Sequence, residues 1–229
     1  MSKINNTVSA VNQMINSSEL CFLGSENAKK RILIVGNSIT RHGPLPEIGW
    51  EYDWGMAASS RDKDYVHRLY AKLTESGHDV FMRIRQASHW ERNFLKEDVL
   101  SSYLEDREFN ADIVIFRLGE NVLDEDTPYL KKAIKAFVEY LCVDGKMLFT
   151  TCFWDIPKVD AAIKAVVKER GDRCVDVCLS KDETNMAAGQ FWHGGICSHP
   201  SDKGMEGIAE IIFNELQNML KKGYNLINV

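Results

Sequence analysis

The segment Arg31-Ile-Leu-Ile-Val-Gly-Asn-Ser38 carries an unbroken apolar run, Ile32 to Val35, that ends abruptly at Gly36. A short run of β-branched and leucine side chains without alternation suits a strand covered on both faces, as in a parallel sheet. Asn37 and Ser38 follow directly. The carboxyl end of such a strand is where open α/β sheets place their ligands. Taken alone, Ser38 fits a turn or a helix N-cap, the common job of a serine after a strand. Two more stretches change its meaning. Arg117-Leu-Gly-Glu-Asn121 ends a second buried run, Ile113 to Leu118, which puts Asn121 on the same sheet edge. Cys197-Ser-His-Pro-Ser-Asp-Lys-Gly204 precedes an amphipathic segment and puts His199 in the loop at its start. A hydroxyl, a side-chain amide and a histidine brought together from strand ends are the parts of acyl transfer: nucleophile, oxyanion donor and base.

In these blocks, and in their order, the sequence resembles the SGNH (GDSL-like) hydrolases. The family's Gly-Asp-Ser is seen here as Gly36-Asn37-Ser38, and its Gly-x-Asn as Gly119-Glu120-Asn121. Its Asp-x-x-His-Pro is seen as Ile196-Cys197-Ser198-His199-Pro200. The resemblance runs from about Arg31 to about Leu220. It implies ester hydrolysis through an acyl-enzyme, with Ser38 as nucleophile and His199 as base. The Ser38 N–H and the Asn121 amide would hold the oxyanion, with no metal and no cofactor. Three positions depart from the family. Asn37 stands for the aspartate beside the nucleophile. The second block normally lends a glycine N–H to the oxyanion hole, but Arg85-Gln-Ala-Ser-His-Trp-Glu91 has no glycine. That leaves a backbone N–H between Ser88 and Trp90, taken as that of Trp90. Ile196 stands where the acid that orients the histidine is expected. A backbone carbonyl of the same loop can take that place, and Asp202, Asp155 and Glu120 are the competing acids. The expectation is a Ser38–His199 dyad with carbonyl support.

Composition narrows the class. A chain of 229 residues, 45% hydrophobic, can bury one full core. Its 28 basic and 33 acidic residues give a charge of −5, a balance that gives no sign of a nucleic-acid surface. No apolar run is long enough to span a bilayer. Met1 to Lys30 is polar and lacks the basic-then-apolar pattern of a signal peptide, so a cytoplasmic location is expected. Cys142, Cys152, Cys174 and Cys178 lie in or beside apolar segments and read as small core residues of a reducing compartment. The division expected is an N-terminal extension over 1–30, one domain over 31–222 and a tail over 223–229. The partner expected is a small-molecule ester, with neither nucleic acid nor membrane, and a homo-oligomer is left open.

Periodicity predicts strands at Ile32–Val35, Asp79–Arg85, Asp112–Leu118, Lys146–Thr151 and Arg173–Leu179. Helices are expected over Asp62–Glu75, Trp90–Tyr103, Pro128–Leu141, Pro157–Arg170 and Asp202–Lys222, with a short outer one over Thr7–Leu20. This alternation predicts a three-layer α/β/α sandwich on a five-stranded parallel sheet. The family resemblance implies the flavodoxin-like order 2-1-3-4-5. The second strand alternates weakly, which suits an edge. Thr40–Ala58 is a long loop starting at the candidate nucleophile. Its Trp50 and Trp54 would suit stacking on a sugar ring, or would fasten the loop to the core. His193, Cys197 and His199 are close enough to suggest a metal site, but no fourth ligand is obvious. The phosphate-loop pattern G-x-x-x-x-G-K-[ST] is absent. The leading reading is a serine esterase acting on a small acyl group, acetyl above all, on a carbohydrate or similar molecule. A lipase- or thioesterase-type acylhydrolase and a catalytically decayed binding module are the alternatives.

Overall fold

The computed structural model describes residues 19–142 and 145–221. The strands are β1 (Leu20–Leu23), β2 (Lys30–Gly36), β3 (Val80–Gln86), β4 (Ile113–Arg117), β5 (Lys146–Thr150) and β6 (Arg173–Val175). They form one sheet in the order β1-β3-β2-β4-β5-β6. The five strands from β2 to β6 are parallel and carry the expected 2-1-3-4-5 order. β1 adds a sixth, antiparallel strand beside β3. The expected edge position of the second strand is therefore wrong: β1 covers it. Leu20 opens a strand instead of closing a helix, and residues 7–18 of that expected helix lie outside the described ones. Leu-Cys-Phe-Leu is too short to show a period, so its only signal was apolarity. Phe22 of β1 stacks on Phe81 of β3 at 5.5 Å.

The helices are α1 (Tyr65–Glu75), α2 (Ser88–Asn93), α3 (Leu104–Glu108), α4 (Thr127–Leu141), α5 (Pro157–Arg170), α6 (Gly194–Cys197) and α7 (Asp202–Lys221). Alternation along the strands assigns them to two layers. Ile32, Ile34 and Ile115 face one side, where Leu69 of α1 and Ile208 and Ile212 of α7 meet them. Leu33, Val35 and Phe116 face the other, against Ile134 and Phe137 of α4 and Ile163 of α5. Both faces of the central strands are thus dry, which explains their unbroken apolar runs.

The long helix expected over Trp90–Tyr103 is broken into α2, a 3-10 turn at Val99–Tyr103, and α3. Trp90, Phe94, Val99 and Tyr103 are all buried. The step from Phe94 to Val99 is five residues, which would carry Val99 off the face of a continuous helix. The last strand is also shorter than expected. Asp176 ends it by accepting hydrogen bonds from Thr151 Oγ1 at 2.8 Å and the Cys178 N–H at 3.0 Å.

Candidate active site

Ser38 sits in a tight turn off the carboxyl end of β2. The Thr40 and Arg41 N–H groups donate to the Asn37 carbonyl at 2.9 and 3.0 Å. A side chain at Gly36 would collide with Thr40, so this turn needs glycine there. The Met56 N–H donates to the Ser38 carbonyl at 2.9 Å and ties the long loop to the turn.

Ser38 Oγ lies 2.7 Å from His199 Nε2, and His199 Nδ1 lies 2.6 Å from the Gly195 carbonyl. A carbonyl only accepts, so Nδ1 carries the ring proton. Nε2 then presents its lone pair to the Ser38 hydroxyl. The loop holds the ring firmly. His193 caps α6 by accepting from the Gly195 N–H at 3.2 Å, and the Ala187 N–H donates to the His199 carbonyl at 2.9 Å. Trp154 stands edge-on to the imidazole, with ring centres 5.7 Å apart. Burial holds the imidazole far below its ordinary pKa, at about 3, against the raising effect of the Gly195 carbonyl.

The three competing acids are occupied elsewhere. Asp202 accepts from the Ser59 N–H and hydroxyl at 2.8 and 2.6 Å, Asp155 pairs with Lys181 at 3.0 Å, and Glu120 pairs with Arg117 at 2.7 Å. Ile196 is buried in the loop cluster with Ile48, Trp50 and Met56. Its side chain offers no acceptor, and the carbonyl one residue earlier takes the imidazole N–H.

Asn121 leads into a buried polar network. Its Nδ2 donates to Glu91 Oε2 at 2.7 Å, and its backbone N–H donates to Glu91 Oε1 at 3.3 Å. The Gly119 N–H donates to the same Oε1 at 2.5 Å. Gly119 has φ +145°, and a Cβ there would strike Val159 and Cys152, so only glycine fits. Asn37 Nδ2 donates to Glu91 at 3.3 Å and to Glu120 at 2.6 Å, while Asn37 Oδ1 accepts from Arg117 at 3.1 Å. This accounts for the departure at position 37. An aspartate there would place a third carboxylate against two others, whereas the amide donates to both. Burial, then the charge of Glu120, pushes the Glu91 carboxyl up to about 7. Burial is the strongest single influence on Arg117 and would lower its pKa, but the charge and hydrogen bond of Glu120 together with Tyr65 and Cys152 raise it on balance.

Other expected site residues are placed differently. Trp50 is 0% exposed, donates through Nε1 to the His42 carbonyl at 3.1 Å, and packs edge-on against Trp54 and Phe191. It fastens the loop and has no free face for a sugar. Trp54 is stacked on Tyr52 at 4.3 Å, which occupies one face of its ring. The Trp90 N–H donates to the Ala87 carbonyl at 2.9 Å, so it is not free for an oxyanion, and the Trp90 ring stacks on Phe137 in the core. Among the described residues no group of three His, Cys, Asp or Glu side chains is placed to hold a metal ion. Cys197 Sγ donates to the Phe191 carbonyl at 2.9 Å. Glu91, Arg117 and Trp154 were missed. A charged arginine closing an otherwise apolar strand is a sequence signal for a buried cation that needs a nearby carboxylate, here Glu120. Glu91 beside Trp90 on an otherwise buried segment is a similar, weaker one.

No protein-family model matches the sequence, and no curated protein does. Solved structures match the fold. The esterase EstA from Pseudoalteromonas sp., inhibited by monoethylphosphonate, superposes with a TM-score of 0.56 at 13% identity, over 84% of this chain and all of its own. A mutant of Axe2, an acetyl-xylooligosaccharide esterase from Geobacillus stearothermophilus, superposes with a TM-score of 0.52 at 14% identity, over 85% of this chain and 95% of its own. Another form of Axe2, a catalytic mutant with serine replaced by alanine, gives a TM-score of 0.50 at 15% identity over the same shares. With its 2-1-3-4-5 parallel order and helices on both faces, the chain has the fold of these esterases.

Proposed function

We propose that this chain is a serine esterase that works through an acyl-enzyme and removes small acyl groups from a carbohydrate. The observation that carries the reading is the 2.7 Å contact between Ser38 Oγ and a His199 Nε2 whose partner nitrogen is tied to a carbonyl. Ser38 attacks the ester carbonyl and passes its proton to Nε2. The imidazolium then protonates the leaving alcohol. Water then gives a proton to Nε2 as its oxygen attacks the acyl carbon, and the acyl–Oγ bond breaks as Nε2 returns the proton to Ser38, releasing the acid. The Ser38 N–H and the second Nδ2 proton of Asn121, the one not given to Glu91, donate to the oxyanion.

The test is hydrolysis of p-nitrophenyl acetate by the purified chain, with a fluorophosphonate probe reporting on the serine. Turnover with labelling at Ser38 supports the reading. Absence of both returns the chain to a non-catalytic binding module. Asn121→Ala should lower kcat by roughly a hundredfold or more with KM little changed, because the contact strengthens only in the transition state. Steady-state kinetics check this, and an effect confined to KM would make Asn121 a binding residue only.

For the carbohydrate, support comes from exposed aromatics around the loop cluster. Trp192 is 56% exposed and packs edge-on to His193 at 5.5 Å, and Tyr52 is 43% exposed. Apolar rings open to solvent beside a histidine loop suit the flat faces of sugars. The substrates named for Axe2 point the same way. Trp192→Ala should raise KM several-fold for an acetylated xylooligosaccharide and leave p-nitrophenyl acetate kinetics unchanged. Equal effects on both esters would make Trp192 a structural residue of the His193 loop.

A further inference from the structure

We infer that Glu91 is the positioning residue of the oxyanion site: its carboxylate fixes the orientation of the Asn121 amide and ties it to Asn37 beside the nucleophile. This rests on the esterase reading for its consequence, and on hydrogen bonds alone for its geometry. Glu91 is 0% exposed, and both of its oxygens are filled by donors from the site. Oε2 accepts from Asn121 Nδ2, while Oε1 accepts from the backbone N–H groups of Gly119 and Asn121 and from Asn37 Nδ2. One carboxylate therefore fixes the loop after β4, the amide on it, and the residue next to Ser38.

An amide without that acceptor can turn over and present Oδ1. A carbonyl oxygen facing the developing oxyanion would repel it. With Glu91 accepting, Nδ2 is held on the network side, and its second proton keeps a fixed direction. Preorganised donors of this kind need no reorientation as charge develops. The ionised carboxyl fits the role, because Oε1 already meets three N–H donors and Oε2 meets the Asn121 amide, and an added proton would compete with them. The groups facing it are Glu120 and Arg117 from the end of β4, the Asn37 amide, and the Cys152 thiol beyond β5. Burial first, then the charge of Glu120, opposes the ionised form and outweighs the amide and backbone donors that favour it, so the carboxyl titrates above the ordinary range. The rate should fall as the pH is lowered through that titration.

The experiment combines a double-mutant cycle with a signal that does not depend on turnover. Glu91→Gln should lower kcat for p-nitrophenyl acetate by about 10- to 100-fold, the range of one charge-assisted hydrogen bond, with KM within about twofold. The Glu91→Gln, Asn121→Ala double variant should be no slower than Asn121→Ala, because Glu91 acts through that amide. The acid limb of the wild-type rate should vanish in Glu91→Gln. In the wild-type chain, the Asn121 side-chain amide resonance, assigned by its loss in Asn121→Ala, should shift with pH as Glu91 titrates. This last arm needs neither turnover nor a Glu91 variant that folds. Additive losses in the cycle, or an Asn121 resonance that ignores both pH and the Gln substitution, would overturn the inference. A wild-type chain that fails to hydrolyse the ester while the resonance still responds would overturn the esterase reading and leave the Glu91–Asn121 tie standing.

Discussion

Ser38→Ala is expected to lower kcat for p-nitrophenyl acetate by about 10⁵-fold or more, the order lost when the nucleophile of a serine–histidine site is removed. Fluorophosphonate labelling should disappear with it. The fold should barely notice. Ser38 is held by backbone geometry, through the Asn37 turn and the Met56 N–H on its carbonyl, and none of those contacts uses the hydroxyl. Its side-chain hydrogen bond to His199 is worth about 1 kcal/mol. For a domain of this size that is a shift in Tm of roughly 2–4 °C. Kinetics, probe labelling and calorimetry on one preparation check the three statements together. A variant that unfolds early would attribute the loss of rate to structure. A variant with wild-type turnover would remove Ser38 from the chemistry altogether.

The parts of the fold legible in the sequence were those in which one physical signal dominates. β2 and β4 are dry on both faces, and their continuous apolar runs announced it. Pro157 at the start of α5 and Gly171 in a left-handed cap at its end set that helix to the residue. β1 was not legible, because four apolar residues carry no period and the strand owes its existence to pairing with β3. The site divides in the same way. Ser38 and His199 were readable because strand ends and loop starts have fixed places in an α/β sheet, and their contact joins residues 161 positions apart. The support of His199 could be guessed only as a class, because which carbonyl turns inward depends on the single helical turn of α6. Glu91 was not legible as a partner of Asn121. A glutamate in a short helix looks like surface until packing buries it, and here Trp90 on Phe137 turns that helix so that Glu91 faces inward. Trp50 misled for the opposite reason. An aromatic on a long loop near a nucleophile looks like a substrate platform, yet this one is the centre of the loop's own small core.

His199→Ala should lower kcat nearly as far as Ser38→Ala, and the double variant should be no worse than either, because residues acting as a unit lose their effect together. The support of the imidazole decides how the histidine behaves with pH. The Gly195 carbonyl fixes the tautomer, which is much of what a triad aspartate does, but it supplies no full charge to stabilise the imidazolium. Replacing Asp202, Asp155 or Glu120 by its amide should therefore leave the His199 ring signals in place. A loss on the order of ten-thousandfold from one of these would identify a displaced triad acid. Burial lowers the His199 pKa to about 3, so the ring stays neutral and competent as a base well below the ordinary histidine range. The sign follows directly: a base with a depressed pKa loses its function only at pH values below that pKa. In an NMR titration the His199 ring signals should stay unmoved from pH 8 to about 5, where an unperturbed histidine titrates fully. An acid limb in the rate near neutrality would then belong to a different group. Glu91 is the carboxyl in the network that burial and Glu120 hold up at about 7. If the His199 ring and the rate titrate together, the imidazole is not shielded as the structure has it, and the limb assigned to Glu91 reverts to the histidine.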